Sequence, residues 1–425
     1  MLVLDIHIPV VSPRIAYVAA FVMGRLGLDY RLTTEGAAAG QISLRYEGRE
    51  IRFNTDGLLA EQDIQTVRKT EALQALQQYS KDGMLPGAFF DLVFFLLSRY
   101  EEYLPFTSDR HQRYPAEESV LYQAGLLKVP VIDEWIQQLR QRIETYLLLV
   151  VPPPPAFEWL PTYDIDISHA FFHRPWWRTA GAIAKECLRD RPLLALRMKV
   201  WRGLVPDPFN AFADMDAWHE KLHTQPVYFW LLADYGPFDK NVSPAEKVMQ
   251  QLVQRTASRY MTGIHPSYRS NEDPSAFEAE LQRYAALTGN KASKSRQHFI
   301  RCRLPETYRR LEKAGILEDY SMGYGSHNGF RAGVSIPFHW YDLEQERPTH
   351  LLVHPFAFME ATNLFQLHHS SDAALAELLQ ITEKVRKAGG RLVTIFHNYT
   401  LGQNNPYRGW REMYLRFLDQ MKTQA

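Results

Sequence analysis

The chain has 425 residues, and 48 Lys and Arg balance 48 Asp and Glu, so net charge gives no argument for nucleic acid as a partner. An apolar content of 46% and a charged content of 23% are ordinary for a globular protein long enough to hold two domains. Its two cysteines, Cys187 and Cys302, exclude a disulfide scaffold and a cysteine-rich zinc site.

The opening "MLVLDIHIPVVSPR" lacks a basic leader and puts Asp5 and His7 inside the apolar run, so it is not read as a signal peptide. "AFFDLVFFLLSRY" and "YLLLVVPPPP" are too short or too interrupted to span a bilayer, and a cytoplasmic protein is the expectation. "QISLRYEGREIRFN" alternates as a hairpin does, and "VIDEWIQQLRQRIETYLLL" has helical spacing. Between them, "LSRYEEYLPFTSDRHQRY" gathers Arg99, Glu101, Glu102, Asp109, His111 and Arg113. That cluster is either an ion-pair network bracing a turn or a wall of an active site. The run "VVPPPP" cannot enter a helix interior or a central strand and marks a boundary. The expected layout is a smaller α/β domain over 1–149, a proline-rich linker over 150–157 and a larger domain over 158–425.

After the prolines, short apolar strands alternate with capped helices. "PVYFWLLADYG" is a strand, and "SPAEKVMQQLVQRTASRY" a helix with Ser243 at its cap, Pro244 next and Glu246 completing a capping box. "MTGIH" is the next strand, followed by the capped helix "DPSAFEAELQRYAALTG", the strand "SRQHF" and the helix "PETYRRLEKAG". "ILEDYS", "HLLVHPF" and "RLVTIFHN" are later strands, with the helix "DAALAELLQITEKVRKAGG" before the last. Such alternation implies a mostly parallel sheet or a β/α barrel, whose chemistry sits at the carboxyl ends of strands. Those ends carry Asp164 and Asp166, His265, Arg296 and His298, Asp319, His354 and His397. One interruption stands out: residues 174–202 hold eight Lys and Arg against two acids, with Trp176, Trp177 and Trp201. They form either a packed insertion with a basic outer face or a peripheral seat for an anionic membrane or glycan.

In "PTYDIDISHAFF", Asp164 and Asp166 stand two apart, so in a strand both carboxylates face one side. Without a cation such a pair tends to share a proton. Asp and His together suit Zn²⁺ or another divalent ion, one aspartate ligating it and the other acting as a general base.

These residues resemble the polysaccharide deacetylase (NodB-homology) family, over roughly residues 158 to 420. The family's Thr-Phe-Asp-Asp is echoed by Thr162-Tyr163-Asp164-Ile165-Asp166, its histidine motif by "GIHPSYRS", its arginine motif by "SRQH" and its last histidine motif by "VTIFHN". The resemblance implies a distorted (β/α) barrel of polysaccharide-deacetylase type preceded by a smaller α/β domain. It implies Asp164 as base, His397 as general acid, and Arg296, held by Asp319, tuning the base. Asp166 and His265 are implied as metal ligands. The family's second metal histidine is absent, since Arg269 stands where it is expected; His354, in the echoing "VHPF", or His298 supplies the missing ligand. The assignment taken is His354 as ligand, with His298, Arg331 and Tyr268 contacting substrate. Residues 1 to 149 resemble an extra N-terminal domain of unknown function found in bacterial proteins of this type. The implied activity is metal-assisted removal of N- or O-acetyl groups from a sugar or polysaccharide, with zinc as the expected metal and no nucleic-acid partner. Its rivals are a non-catalytic glycan-binding or assembly protein of the same fold and a metal-independent amide hydrolase.

Overall fold

The computed structural model describes residues 3–173 and 176–422. Seven strands come first: β1 Val3–His7, β2 Asp29–Thr33, β3 Gln41–Tyr46, β4 Arg49–Asn54, β5 Glu158–Ile165, β6 Val227–Trp230 and β7 Met261–Ile264. β8 Lys294–Ser295, β9 Glu318–Met322, β10 Phe338–Asp342, β11 Arg347–Pro355, β12 Phe358–Met359 and β13 Arg391–His397 follow. The class is α/β, with a small mixed sheet ahead of parallel strands that alternate with helices. The chain divides into two compact units. One holds Met1–Trp159, Cys302–Ala357 and Ile381–Leu392; the other holds Leu160–Arg301, Phe358–Gln380 and Val393–Ala425.

In the first unit the small sheet runs β2-β1-β3-β4, with β1–β2 parallel and the β1–β3 and β3–β4 pairs antiparallel. The expected hairpin is β3–β4. Glu47 and Gly48 at its turn have φ of 47° and 77°, as a two-residue turn matching strand twist requires. The Pro13–Leu26 helix starts at Ser12, whose side chain accepts from Ile15 N, and stops at Gly27 with φ 68°. The Phe89–Leu97 helix is buried on every side, which explains why "FFDLVFFLL" carries no polar stripe. Segments distant in sequence share this core: Tyr17 donates to His339 O (2.7 Å), and Asp133 accepts from Ser335 N (2.8 Å). β11 pairs antiparallel with β10 and parallel with β9.

The second unit has the order β8-β7-β6-β5-β13-β12, and its β5–β6, β6–β7, β7–β8 and β12–β13 pairs are parallel. Residues on β5 alternate between two environments. Tyr163 turns to one face, where its hydroxyl lies 2.6 Å from His219 Nε2 and 2.5 Å from Tyr414 Oη on the covering helices Phe212–Leu222 and Trp410–Lys422. Thr162 and Asp164 turn to the other. In register with Asp164 come Phe229 on β6 and then Gly263 on β7. A Cβ at Gly263 would sit 2.7 Å from the Phe229 ring and 2.8 Å from Lys294 O, so only glycine lets these strands close up here.

Three local expectations are corrected. The Lys247–Ala257 helix starts beyond the expected capping box, because Ser243 Oγ instead accepts from Ala245 N (3.3 Å) in a turn. "SRQHF" forms only the two-residue β8 and then a tight turn, in which Phe299 and Ile300 have φ of 59° and 52°. Asp319 is the second residue of β9, not its end. No helix among the described residues is long and apolar enough to cross a membrane.

Candidate metal centre

Asp164 and Asp166 are delivered by the end of β5 and the residue after it, His265 by the residue after β7, and Arg296 and His298 by the segment leaving β8. His397 ends β13. Parallel strands bring all these ends to one place. Arg296 donates from Nη1 to Asp164 Oδ1 and to Thr162 Oγ1, each at 2.8 Å, and Thr162 Oγ1 donates to Thr394 O at 2.6 Å. The guanidinium also lies over the Phe229 ring, 4.5 Å from its centroid. One oxygen of Asp164 is thus fixed by a buried ion pair. Its other oxygen lies 3.8 Å from His265 Nε2.

Three imidazoles are held alike. His265 Nδ1 lies 2.5 Å from Arg296 O, and since a carbonyl only accepts, Nδ1 carries a proton and Nε2 is the ring atom left for the centre. His298 Nδ1 lies 2.8 Å from Asp239 Oδ1, and Asp239 also accepts from Tyr268 N (2.9 Å) and Arg269 N (3.4 Å). His397 Nδ1 lies 2.9 and 3.1 Å from the two oxygens of Glu360, which also accepts from His397 N and Thr400 Oγ1. In each case the Nε2 atom points at Asp166: 3.3 Å for His265, 3.7 Å for His298 and 3.6 Å for His397.

The electrostatics follow from this crowding. Burial alone would raise the Asp166 carboxyl, but His298, His265 and His397 hold it well below the usual carboxylate range. Burial opposes charge on His298 as well, yet Asp166 and Asp239 push it up to about 10. Glu360 and then Asp166 push His397 up to about 9 against the same opposition. Asp166 Oδ1 is buried and accepts no hydrogen bond, although His265 Nε2 faces it. A buried carboxylate oxygen that accepts no hydrogen bond, with ring nitrogens turned toward its group, is what a cation would resolve.

Candidate ligand atoms of Asp166, His265 and His298 all lie within 4.8 Å of one another. Two imidazoles and a carboxylate suit zinc, and Asp239 behind His298 and the Arg296 carbonyl behind His265 fix both rings as metal sites commonly do. The donor set fits a divalent ion.

The structure therefore brings together Asp164, Asp166, His265, Arg296, His298 and His397. Tyr268 is close by, its ring stacked on Phe238 (centroids 4.1 Å) and its backbone tied to Asp239. The other three residues expected at the site, Asp319, Arg331 and His354, belong to the first unit. Asp319 accepts from Ser321 N (2.8 Å) and Ser321 Oγ (3.0 Å). His354 Nε2 lies 3.2 Å from Glu318, and its ring stacks on Tyr320. Arg331 is buried, with Nε donating to Glu102 Oε1 at 2.8 Å and Nη2 to Oε2 at 2.5 Å. The sequence reading did not include Glu360 or Asp239. Each has one available signal, an acid closing or following an apolar strand-like run, as in "FAFME" and "YFWLLADYGPFD".

Residues 4–147 match the model of a family of unknown function (DUF7033). No curated protein matches the chain. Among solved structures it is similar to one described as a probable polysaccharide deacetylase from Pseudomonas aeruginosa PAO1. The identity is 13% and the TM-score 0.40, over 64% of this chain and 89% of that one. It is also similar to the polysaccharide deacetylase Bc1974 from Bacillus cereus, with 11% identity and a TM-score of 0.30 over 62% and 87% of the two chains. At these identities, function has to be read from the side chains themselves.

Proposed function

We propose that the second unit is a metal-dependent hydrolase of the carbohydrate-deacetylase kind, removing an acetyl group from a sugar amide or ester. The observation that carries this reading is the convergence of three Nε2 atoms on Asp166, whose Oδ1 accepts no hydrogen bond. Asp166, His265 and His298 are the ligands in this reading, with His298 in the place the sequence suggests for His354. When bound, a divalent ion there supplies Lewis-acid polarisation of a substrate carbonyl and acidifies a water.

The chain's own residues supply the proton traffic. Asp164 is the base: Arg296 holds one oxygen, and the other, facing the ligands, receives the proton of the attacking water. Its alignment by Arg296 keeps that oxygen pointed inward. His397 is the acid, keeping a proton on Nε2 for the departing nitrogen or oxygen while Glu360 holds Nδ1. Acetylated carbohydrate as the substrate class rests on the motif resemblance, Asp-Ile-Asp, then His265, Arg296 and His397 in that order.

Metal analysis of the purified protein, with acetate release from acetylated sugars before and after chelation, tests the reading. Bound zinc or a similar ion, and turnover abolished by chelator and restored by metal, are expected. Chelator-insensitive turnover would favour a metal-independent hydrolase. Metal without turnover on any acetylated sugar would favour a glycan-binding role.

A further inference from the structure

The Trp176–Arg189 helix reverses the usual order of a surface helix. Only Glu186 of its residues is buried, and that carboxylate is taken by Arg197, whose Nε donates to it at 2.8 Å. Arg197 belongs to the next helix, Arg191–Trp201, and lies over the Phe171 ring, while Val200 packs with Ala170 and Phe171. The second helix anchors the hairpin, and the first is left outside. Its exposed side is apolar: Trp176 is 81% exposed, Trp177 56% and Leu188 85%, with Ala180, Ala184 and Cys187 also exposed. At the α-helical repeat these six residues occupy one arc of roughly 120°. Beyond one edge of that arc, by roughly 60–100°, come exposed Lys185 and Arg189 and half-buried Arg178.

We propose that this face docks the protein onto an anionic lipid bilayer. Adjacent tryptophans at a helix start, an apolar stripe and a basic rim suit the headgroup boundary, where a helix lies in the plane of the membrane. Charge selects the occupant. Arg191, Lys199 and Arg202 on the following segment are exposed too, whereas the two acids of 176–204 are occupied, Glu186 by Arg197 and Asp190 by capping Leu193 N (3.0 Å). A second copy would oppose cations with cations; anionic headgroups complement them. Arg174, in the same basic run, lies outside the described residues. The start of the helix also touches the loop that supports the metal centre. Arg178 lies over the Tyr235 ring (3.8 Å to its centroid), and Gly236 N donates to Asp239 O (2.9 Å), the residue that holds His298. Docking would thus present the metal centre to material at the bilayer surface, a consequence that rests on the hydrolase reading; docking itself does not.

The test is co-sedimentation of the full chain with phosphatidylglycerol-containing vesicles and with phosphatidylcholine vesicles, at low and high salt. Binding to the anionic vesicles alone, weakened by salt, is expected. Lys185→Gln with Arg189→Gln, both exposed, should lower partitioning by on the order of 30-fold. Trp176→Ser with Trp177→Ser should lower it further and abolish quenching of tryptophan emission by brominated lipid. Thermal melts of the variants confirm folding, and turnover on a soluble acetylated sugar reports separately on the hydrolase reading. Failure of the wild type to bind anionic vesicles at low salt overturns the proposal. So does undiminished binding by the Gln variant, or concentration-dependent self-association that the serine variants abolish.

Discussion

Two buried ionic clusters in this chain look alike in composition and differ in how completely they are satisfied. Around Glu102, Arg99 and Arg331 face Glu101 and Glu102, and every carboxylate oxygen accepts at least one donor. Glu101 takes Arg99, Ser119 Oγ and Val120 N; Glu102 takes Arg99 and Arg331. Arg331 and Arg99 hold the Glu102 carboxyl below its ordinary value despite burial. Around Asp166, Oδ1 is left without a hydrogen bond, with His265 Nε2 facing it, while the Nε2 atoms of His298 and His397 face Oδ2. The first cluster is closed on its carboxylates, with only Arg99 Nη1 among its guanidinium nitrogens left without a hydrogen bond, and it braces a turn. The second is organised around something it does not itself contain. Composition alone cannot separate the two, because the difference lies in how the folded chain places each donor, three ring nitrogens standing 3.3–3.7 Å from the Asp166 carboxylate.

The largest expected effect separates the roles within the second cluster. Asp164→Asn should keep metal and lose ~10²–10⁴ in rate of acetate release, whatever metal is supplied. Asp166→Asn should lose metal and recover in part when excess Zn²⁺ or Co²⁺ is added. The opposite pattern would exchange base and ligand; full activity in both would make the pair a solvated strand end. Next comes the closed cluster: Glu102→Gln should destabilise the protein by about 3–5 kcal/mol in urea or thermal unfolding, because it leaves buried guanidinium charge uncompensated. Metal content of the folded variant should be unchanged. A smaller effect is expected one contact away from the ligands: Asp239→Asn should weaken metal affinity by about 10–100-fold, as loss of a histidine's supporting carboxylate does. His354→Ala should leave metal affinity as it was. Loss of metal in His354→Ala and its retention in His298→Ala would restore the assignment suggested by "VHPF".

How much of this was legible follows from which residues obey a local period. Asp164 and Asp166 share a face because strand spacing is two, and His265 and His397 close apolar runs that are in fact β7 and β13. His298 follows no such period. β8 pairs for two residues only, and the chain then passes through left-handed Phe299 and Ile300, so the direction of the imidazole is set by the turn and by Asp239. A β-branched residue in that conformation is strained unless its surroundings impose it. Glu360 and Asp239 meet their histidines from 37 and 59 residues away, pairings that only the folded chain defines. The basic tryptophan segment was visible as composition; that its apolar side faces outward was not.

Asp91 sharpens the comparison further, because it shows a third way to bury a carboxyl. It lies in the first turn of the fully buried Phe89–Leu97 helix, accepts from Thr55 Oγ1 at 2.9 Å and has no cation for a partner in the contacts that surround it. Burial, with the neighbouring Asp56 adding to it, raises its carboxyl to about 8. It is therefore protonated at neutral pH, neutralised by its own proton instead of by guanidinium or metal. The sign follows from linkage. Between the unfolded value of about 4 and the folded value near 8, the folded chain keeps a proton that the unfolded chain has lost. Stability from this group is complete below that window, falls as pH rises through it, and levels off above. Asp91→Asn keeps a donor toward Asp56 and cannot ionise. It should flatten the pH dependence of the urea midpoint and be more stable than wild type by about 1–3 kcal/mol on the alkaline side, after allowance for the altered hydrogen bond. A midpoint that falls just as steeply with pH in the variant would assign the titration elsewhere, to Asp133 or Glu280, whose carboxyls burial also raises, to about 6 and about 7.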